Sequence, residues 1–274
     1  MRLQELLRDR LTQDELRLLP SGWGRIGHVA VLSLPSGLQE RASEIGEALL
    51  QIRGIRTVVV RSGGIAGRER RPRIKVLAGE PQTETIHKEH GCKFRLDVAQ
   101  VMFSRGNVYE RGRIARLVRP GEVVVDMFAG VGQFTLPIAK NANPKKVYAI
   151  ELNPVAFSYL KENVELNRLG RVVRPLLGDC VEVAPRGVAD RVIMGILHVT
   201  HRYLPLAFEV IKRRGGVIHY HESVPSKIGF PRPVGRIRRA AGGREVEVLG
   251  ARAVKRYAPG VDHVVIDAKI GPSK

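Results

Sequence analysis

Residues 122–140 read EVVVDMFAGVGQFTLPIAK, and this stretch decides the fold. Residues 122–126 form a short unbroken apolar run ending on Asp126, the pattern of a strand covered on both faces. Gly130 and Gly132 follow in a turn where backbone can approach a ligand closely, and a helix is expected over 132–140. Working outward, the same rhythm repeats. Residues 146–151 (KVYAIE) read as a second strand, and a helix over 154–166 opens on Pro154, where a missing N–H costs nothing. Strands are expected at 172–177, 191–194 and 216–220, with a helix over 202–212 between the last two. Strands alternating with helices imply a parallel α/β sheet. Residues 244–249 and 261–270 are strand-like on either side of Ala258-Pro259-Gly260, so a terminal antiparallel hairpin is expected on that sheet.

The ends of the strands carry the chemistry. Asp126 ends the first, Glu151 the second, and Asp179 the third in Leu177-Gly178-Asp179-Cys180. A dinucleotide fingerprint needs a third glycine or alanine where this chain has Thr135, and Asp126 would repel a pyrophosphate. A cationic ligand suits it better. Glu151 can accept hydrogen bonds from both hydroxyls of a ribose, and Asp179 can reach the exocyclic amine of an adenine. Each acid alone also reads as a helix cap, a surface charge or a turn residue. Their joint placement on one sheet edge describes a site for S-adenosylmethionine.

Upstream the texture differs. Residues 25–35 (RIGHVAVLSLP), 57–61 and 73–78 read as strands, and residues 38–51 as an amphipathic helix. A smaller α+β domain over residues 1–98 is expected before a Rossmann-like domain over residues 99–274. Residues 61–73 (RSGGIAGRERRPR) hold five arginines and one acid. Arg70 and Arg71 there are candidates for RNA phosphate contacts. The whole chain has 274 residues, 46 Lys and Arg against 27 Asp and Glu, and a net charge of +19. That excess, 34 arginines to 12 lysines, favours a polyanionic partner, because the guanidinium fork holds phosphate by two bonds. With 43% hydrophobic residues the chain can bury a core. No apolar run is long enough to span a membrane, and the N-terminus lacks the apolar centre of a signal peptide. Two cysteines, Cys92 and Cys180, suit a reducing compartment, and a cytoplasmic location is expected.

Four stretches carry a resemblance: DMFAGVGQFTLPIAK (126–140), AIELNPVAFSYLKENVELNRL (149–169), DRVIM (190–194) and GGVIHYHE (215–222). They are similar to a tRNA-modifying family that acts on the purine just 3′ of the anticodon. Residues 61–80 and 85–115 resemble that family's RNA-proximal domain. The family has two branches. One methylates guanine at N1; the other moves the 3-amino-3-carboxypropyl group of S-adenosylmethionine onto 4-demethylwyosine in tRNA-Phe. After the fourth strand the methyltransferase carries Asn-Leu-Pro, whereas this chain reads Met194-Gly195-Ile196-Leu197-His198 with Gly195 in place of the Asn, and Gly106 stands where the methyltransferase has a basic residue. The methyltransferase's additional small N-terminal domain also has no counterpart. All three departures resemble the second branch, whereas Glu182 matches the candidate base of the first. A non-catalytic RNA-binding protein would have no use for the three intact acids.

The resemblance implies cofactor contacts at Ser104, Arg111, Glu151, Asp179 and Cys180, beside Asp126, Phe128 and Gly130 of the turn. Ser104 and Arg111 are expected on the methionine carboxylate, although Arg111 also reads as a surface helix residue. Cys180 is expected to offer its backbone N–H rather than thiol chemistry. The space freed by Gly195 and Gly106 is expected to let the methionine arm turn its Cγ toward the base. Glu182 is the candidate base. His198 and His201 lack a third ligand at a sensible spacing, so no metal is expected. The expected partner is tRNA-Phe, with no membrane and no obligatory protein partner.

Overall fold

Leu3, Leu7, Leu11 and Leu16 are buried together with Ile45, Ala48 and Leu49, and these spacings build a core of the first unit. The computed structural model describes residues 3–20, 22–63, 67 and 72–273. The chain divides into one unit of Met1–Glu89 and Lys93–Arg105 and another of His90–Cys92 and Gly106–Lys274.

In the first unit, α1 (Leu3–Leu7) and α2 (Gln13–Leu18) precede β1 (Gly24–Ile26), β2 (Val29–Leu32), α3 (Ala42–Leu50), β3 (Thr57–Arg61) and β4 (Ile74–Gly79). Thr12 and Glu15 cap α2 reciprocally, each side chain taking the other's backbone N–H, an arrangement worth about 1 kcal/mol. The sheet order is β1-β2-β3-β4, with only β2 and β3 parallel. The single strand expected over 25–35 is a hairpin instead. Its chain reverses at Gly27, where φ is +56° and a Cβ would strike Thr85. The helix expected over 38–51 is shorter, because residues 36–38 form a 3-10 turn first. A hairpin of β5 (Glu84–Glu89) and β6 (Cys92–Asp97) was not expected. Arg70 and Arg71 lie outside the described residues.

The second unit holds α4 (Val108–Leu117), β7 (Val123–Asp126), α5 (Thr135–Asn141), β8 (Lys146–Glu151), α6 (Pro154–Leu166), β9 (Val173–Leu177) and α7 (Cys180–Val183). It continues with β10 (Arg191–Met194), α8 (Leu204–Val210), β11 (Gly216–Pro225), α9 (Pro231–Ala240), β12 (Val246–Ala258) and β13 (Val261–Ile270). The sheet order is β12-β13-β11-β10-β7-β8-β9. Its five strands from β9 to β11 are parallel, and the expected terminal hairpin adds two antiparallel ones. Chain order reverses between β7 and β10. In open α/β sheets, ligands bind outside the carboxyl ends of the strands at such a reversal. Val125, Ile150, Val192, Ile218 and Ile266 centre the core on these strands. β12 forms one margin of the sheet and breaks register with β13 at three places.

Candidate active site

The reversal point brings the expected turn and two of the expected acids together. Gly130 has φ +56°, and a Cβ there would meet nothing nearer than Gln133 at 3.5 Å, so the backbone presents an open face. Its N–H donates to Glu151 Oε2 at 2.7 Å, while Asn153 N–H donates to Oε1 at 2.8 Å. Glu151 thus fixes the turn from the end of the neighbouring strand. Asp179 caps α7, accepting from Val181 N–H at 3.0 Å. Cys180 is buried beside it. Burial, then the Asp179 charge, pushes its thiol up to about 12, which suits a backbone contact and not thiolate chemistry.

Asp126 is placed differently from its expected ligand-facing role. It is fully buried, with Oδ2 accepting from the Thr135 hydroxyl at 2.8 Å and Oδ1 from Phe128 N–H at 3.4 Å. Burial pushes its carboxyl up to about 6 despite those bonds. It ties the turn to α5 from beneath. Phe128 sits edge-on to Tyr203, ring centroids 5.1 Å apart. Arg111 is not a surface residue: it is 0% exposed, and its Nη1 donates to Gln133 Oε1 of the turn at 3.2 Å. Glu182 is exposed on α7, and Ser104 is half-buried in the first unit.

The two glycine departures do not leave free space. A Cβ on Gly195 would lie 2.9 Å from Phe134 Cε2, so a ring from the turn fills the room that a side chain would take. A Cβ on Gly106 would lie 2.7 Å from Lys255 Cδ and 2.8 Å from its Nζ. A cation from β12 therefore stands where the chain lacks a basic residue. Phe134 and Lys255 are functional candidates that sequence reasoning missed, since neither is near its glycine in the chain.

The second unit also holds a buried polar chain. Arg191 holds Glu122 by two bonds of 2.8 and 3.0 Å and donates to His219 Nε2 at 2.7 Å. Arginine only donates, so His219 carries its proton on Nδ1 and gives it to Asp267. Arg113 bridges Asp267 and Glu110, and Arg252 reaches Glu110 at 3.6 Å. Burial raises the Asp267 carboxyl, but the bonds from His219 and Arg113 outweigh it and hold the group well below the usual carboxylate range. His198 has φ +71° and binds Tyr257 and Ser223 at 2.9 Å each. Among the described residues no group of three or more His, Cys, Asp or Glu could hold a metal, and no helix is long and apolar enough to cross a membrane.

Carboxylates closing two adjacent strands beside an open glycine turn, at the reversal of a Rossmann-like sheet, define an S-adenosylmethionine-dependent transferase. The chain belongs to the TRM5/TYW2 methyltransferase-domain family, whose model matches residues 85–249, and a TYW2 N-terminal domain model matches residues 3–83. A tRNA(Phe) (4-demethylwyosine(37)-C(7)) aminocarboxypropyltransferase of Methanocaldococcus jannaschii is 53% identical over 75% of this chain and 82% of its own. An enzyme of the same name from Pyrococcus horikoshii is 40% identical over 98% of this chain and 96% of its own. The crystal structure of P. horikoshii TYW2 in complex with MeSAdo superposes with a TM-score of 0.84 at 38% identity, covering 99% of this chain and 98% of that one.

Proposed function

We propose that the protein transfers the 3-amino-3-carboxypropyl group of S-adenosylmethionine to C7 of 4-demethylwyosine next to the anticodon of tRNA-Phe. The observation that carries this reading is the 40% identity with an aminocarboxypropyltransferase over 98% of the chain, which spans both units. The match of residues 3–83 to a TYW2 N-terminal domain favours it over guanine-N1 methylation. S-adenosylmethionine supplies a sulfonium whose neighbouring carbons are open to in-line attack.

The protein's tasks are to orient and to exclude water. Glu151 takes the ribose hydroxyls from its place at the end of β8. Asp179 takes the adenine amine, and Cys180 offers its N–H. Arg111 meets the methionine carboxylate by its fork. Its complete burial against Gln133 puts that charge in surroundings of low polarity, where it is worth more than in water. Phe134 and Gly195 form a flat apolar wall that limits where a carbon of the donor can stand, and position within ~3–3.5 Å in line with the breaking bond decides which group moves. Phosphate contacts from Arg70 and Arg71 hold the RNA.

Mass spectrometry of a tRNA-Phe fragment, with chromatography of the small product, tests the reading. With 4-demethylwyosine in the tRNA, the RNA gains one aminocarboxypropyl group and methylthioadenosine appears. S-adenosylhomocysteine with a methylated guanine would overturn it in favour of the methyltransferase.

A further inference from the structure

On β11 and β13, His219, His221, His263 and Asp267 share one face, as the register pairs His219 with Asp267 and Ser223 with His263. Both ring nitrogens of His219 are bonded. The neighbouring pair is different. His221 Nδ1 and His263 Nε2 lie 2.9 Å apart, and both side chains are 1% exposed. The other two nitrogens, His221 Nε2 and His263 Nδ1, have no hydrogen-bond partner among the described residues. Burying such groups without partners is costly, and an apolar pair of similar shape would avoid that cost.

Both rings are neutral, since burial foremost depresses His221 to about 3 and His263 to about 2. A neutral pair shares one proton in the central bond, and its two arrangements are mirror images. When His221 Nδ1 donates, His221 Nε2 has a lone pair and His263 Nδ1 carries hydrogen; when His263 Nε2 donates, the reverse holds. A proton entering at one end therefore releases one at the other, and neither ring is left charged. His221 stands beside the site, next to its Phe134 wall. The His221 ring lies 5.4 Å from that of Phe134, which covers Gly195. Gly195 follows Met194, whose register partner is Tyr220, so it stands level with His221 at the carboxyl edge of the sheet.

We propose that the His221–His263 pair is the proton exit of the transfer reaction, with His221 Nε2 taking the hydrogen of the acceptor carbon. This rests on the reading under Proposed function, in which an aromatic C–H is replaced by C–C. The acceptor carbon's electron pair forms the bond to Cγ, the C–S bond breaks, and its pair goes to sulfur, leaving methylthioadenosine. The C–H bond then breaks and its pair returns to the ring. That proton goes to His221 Nε2, the Nδ1 proton passes to His263 Nε2, and the His263 Nδ1 proton is taken by a water admitted when the pair opens, since both outer nitrogens are closed to solvent at rest. One buried imidazole would end as a cation in surroundings that resist it; two in series pass the charge outward. Glu182, exposed on α7, needs no such device.

Two variants separate conduction from packing. His221→Phe keeps a ring and removes both nitrogens. His263→Gln keeps an amide near the position of Nε2, so it still holds His221, but offers no second nitrogen. In both, S-adenosylmethionine affinity by calorimetry should stay within about twofold, while kcat falls by roughly 10²-fold or more, the scale of a lost general base. Deuterium at the acceptor carbon should slow turnover at least about twofold in the variants and leave the wild type unaffected. Nitrogen-15 NMR of the ligand-free protein should show both rings neutral at pH 7, coupled through one hydrogen bond. Wild-type kcat in His263→Gln, a fall in kcat without the isotope effect, or a charged ring at pH 7 would each overturn the relay alone. Failure of the wild type to form methylthioadenosine would instead sink the parent reading, and the relay with it.

Discussion

Glu151 binds two backbone N–H groups, so removing its carboxylate loosens the turn as well as the ribose contact. Each hydrogen bond to a charged group is worth ~1.5–3 kcal/mol. Calorimetry on Glu151→Ala should show S-adenosylmethionine binding weakened at least about tenfold, and wild-type affinity would remove Glu151 from the site. The strand-end acids were legible because a short apolar run ending on a charged residue marks where a strand leaves the core. The direction of Asp126 was not. On a four-residue strand it depends on the pleat, and here β7 pairs Asp126 with Ile193 and turns it inward beneath α5. Gly195 was legible as a departure from a pattern, but not as a consequence of Phe134, because the ring arrives from 61 positions away.

Among the elements, β8, α6, β10 and β13 have the boundaries expected from periodicity, since each is a clean apolar run with a turn or cap beside it. β11 runs five residues beyond its expected end at 220, to Pro225. His-Glu-Ser (221–223) looks like a loop in isolation, and only pairing with β13 keeps it extended. α9 had no counterpart among the expected elements; its Pro231 and Pro233 fall in the first turn, where a proline loses no bond. Glu222, 1% exposed, then anchors it through Arg232 and Arg236. Three neutral histidines on β11 and β13 also set an acid limit. Their folded pKa values lie below the unfolded value of about 6.5, so the unfolded chain binds more protons. Stability is therefore complete above about pH 6.5 and is lost as the pH falls. Asp126, raised to about 6, holds a proton in the folded chain over the same range and offsets one of the three, so the slope should approach about 3 kcal/mol per pH unit near pH 5. Urea denaturation from pH 7.5 to 4.5 would measure it; a slope below that of one proton would show that these rings titrate normally.

Across the whole molecule, the +19 excess is shared between two tasks that composition could not separate. Arg111, Arg113 and Arg191 tie the interior of the second unit, while Arg238 and Arg239 are exposed on α9. Only the exposed share is open to a phosphate. Affinity for tRNA should fall steeply with salt, and Arg70→Ala with Arg71→Ala should reduce both the affinity and the salt slope while leaving cofactor binding unchanged. A filter-binding series from 50 to 300 mM salt, on the order used for such slopes, checks this, and an unaltered slope would take residues 70 and 71 out of the RNA path. The margin formed by β12 has a consequence of another kind. Thirteen residues of strand end the sheet there, and such a rim invites the same rim of a second molecule to zip alongside it. The three register breaks bend it out of line, and the exposed Arg256 sets a like charge against any matching copy. Concentrated protein is thereby kept from growing into ribbons, and the charges that suit an RNA also keep the molecules apart from one another.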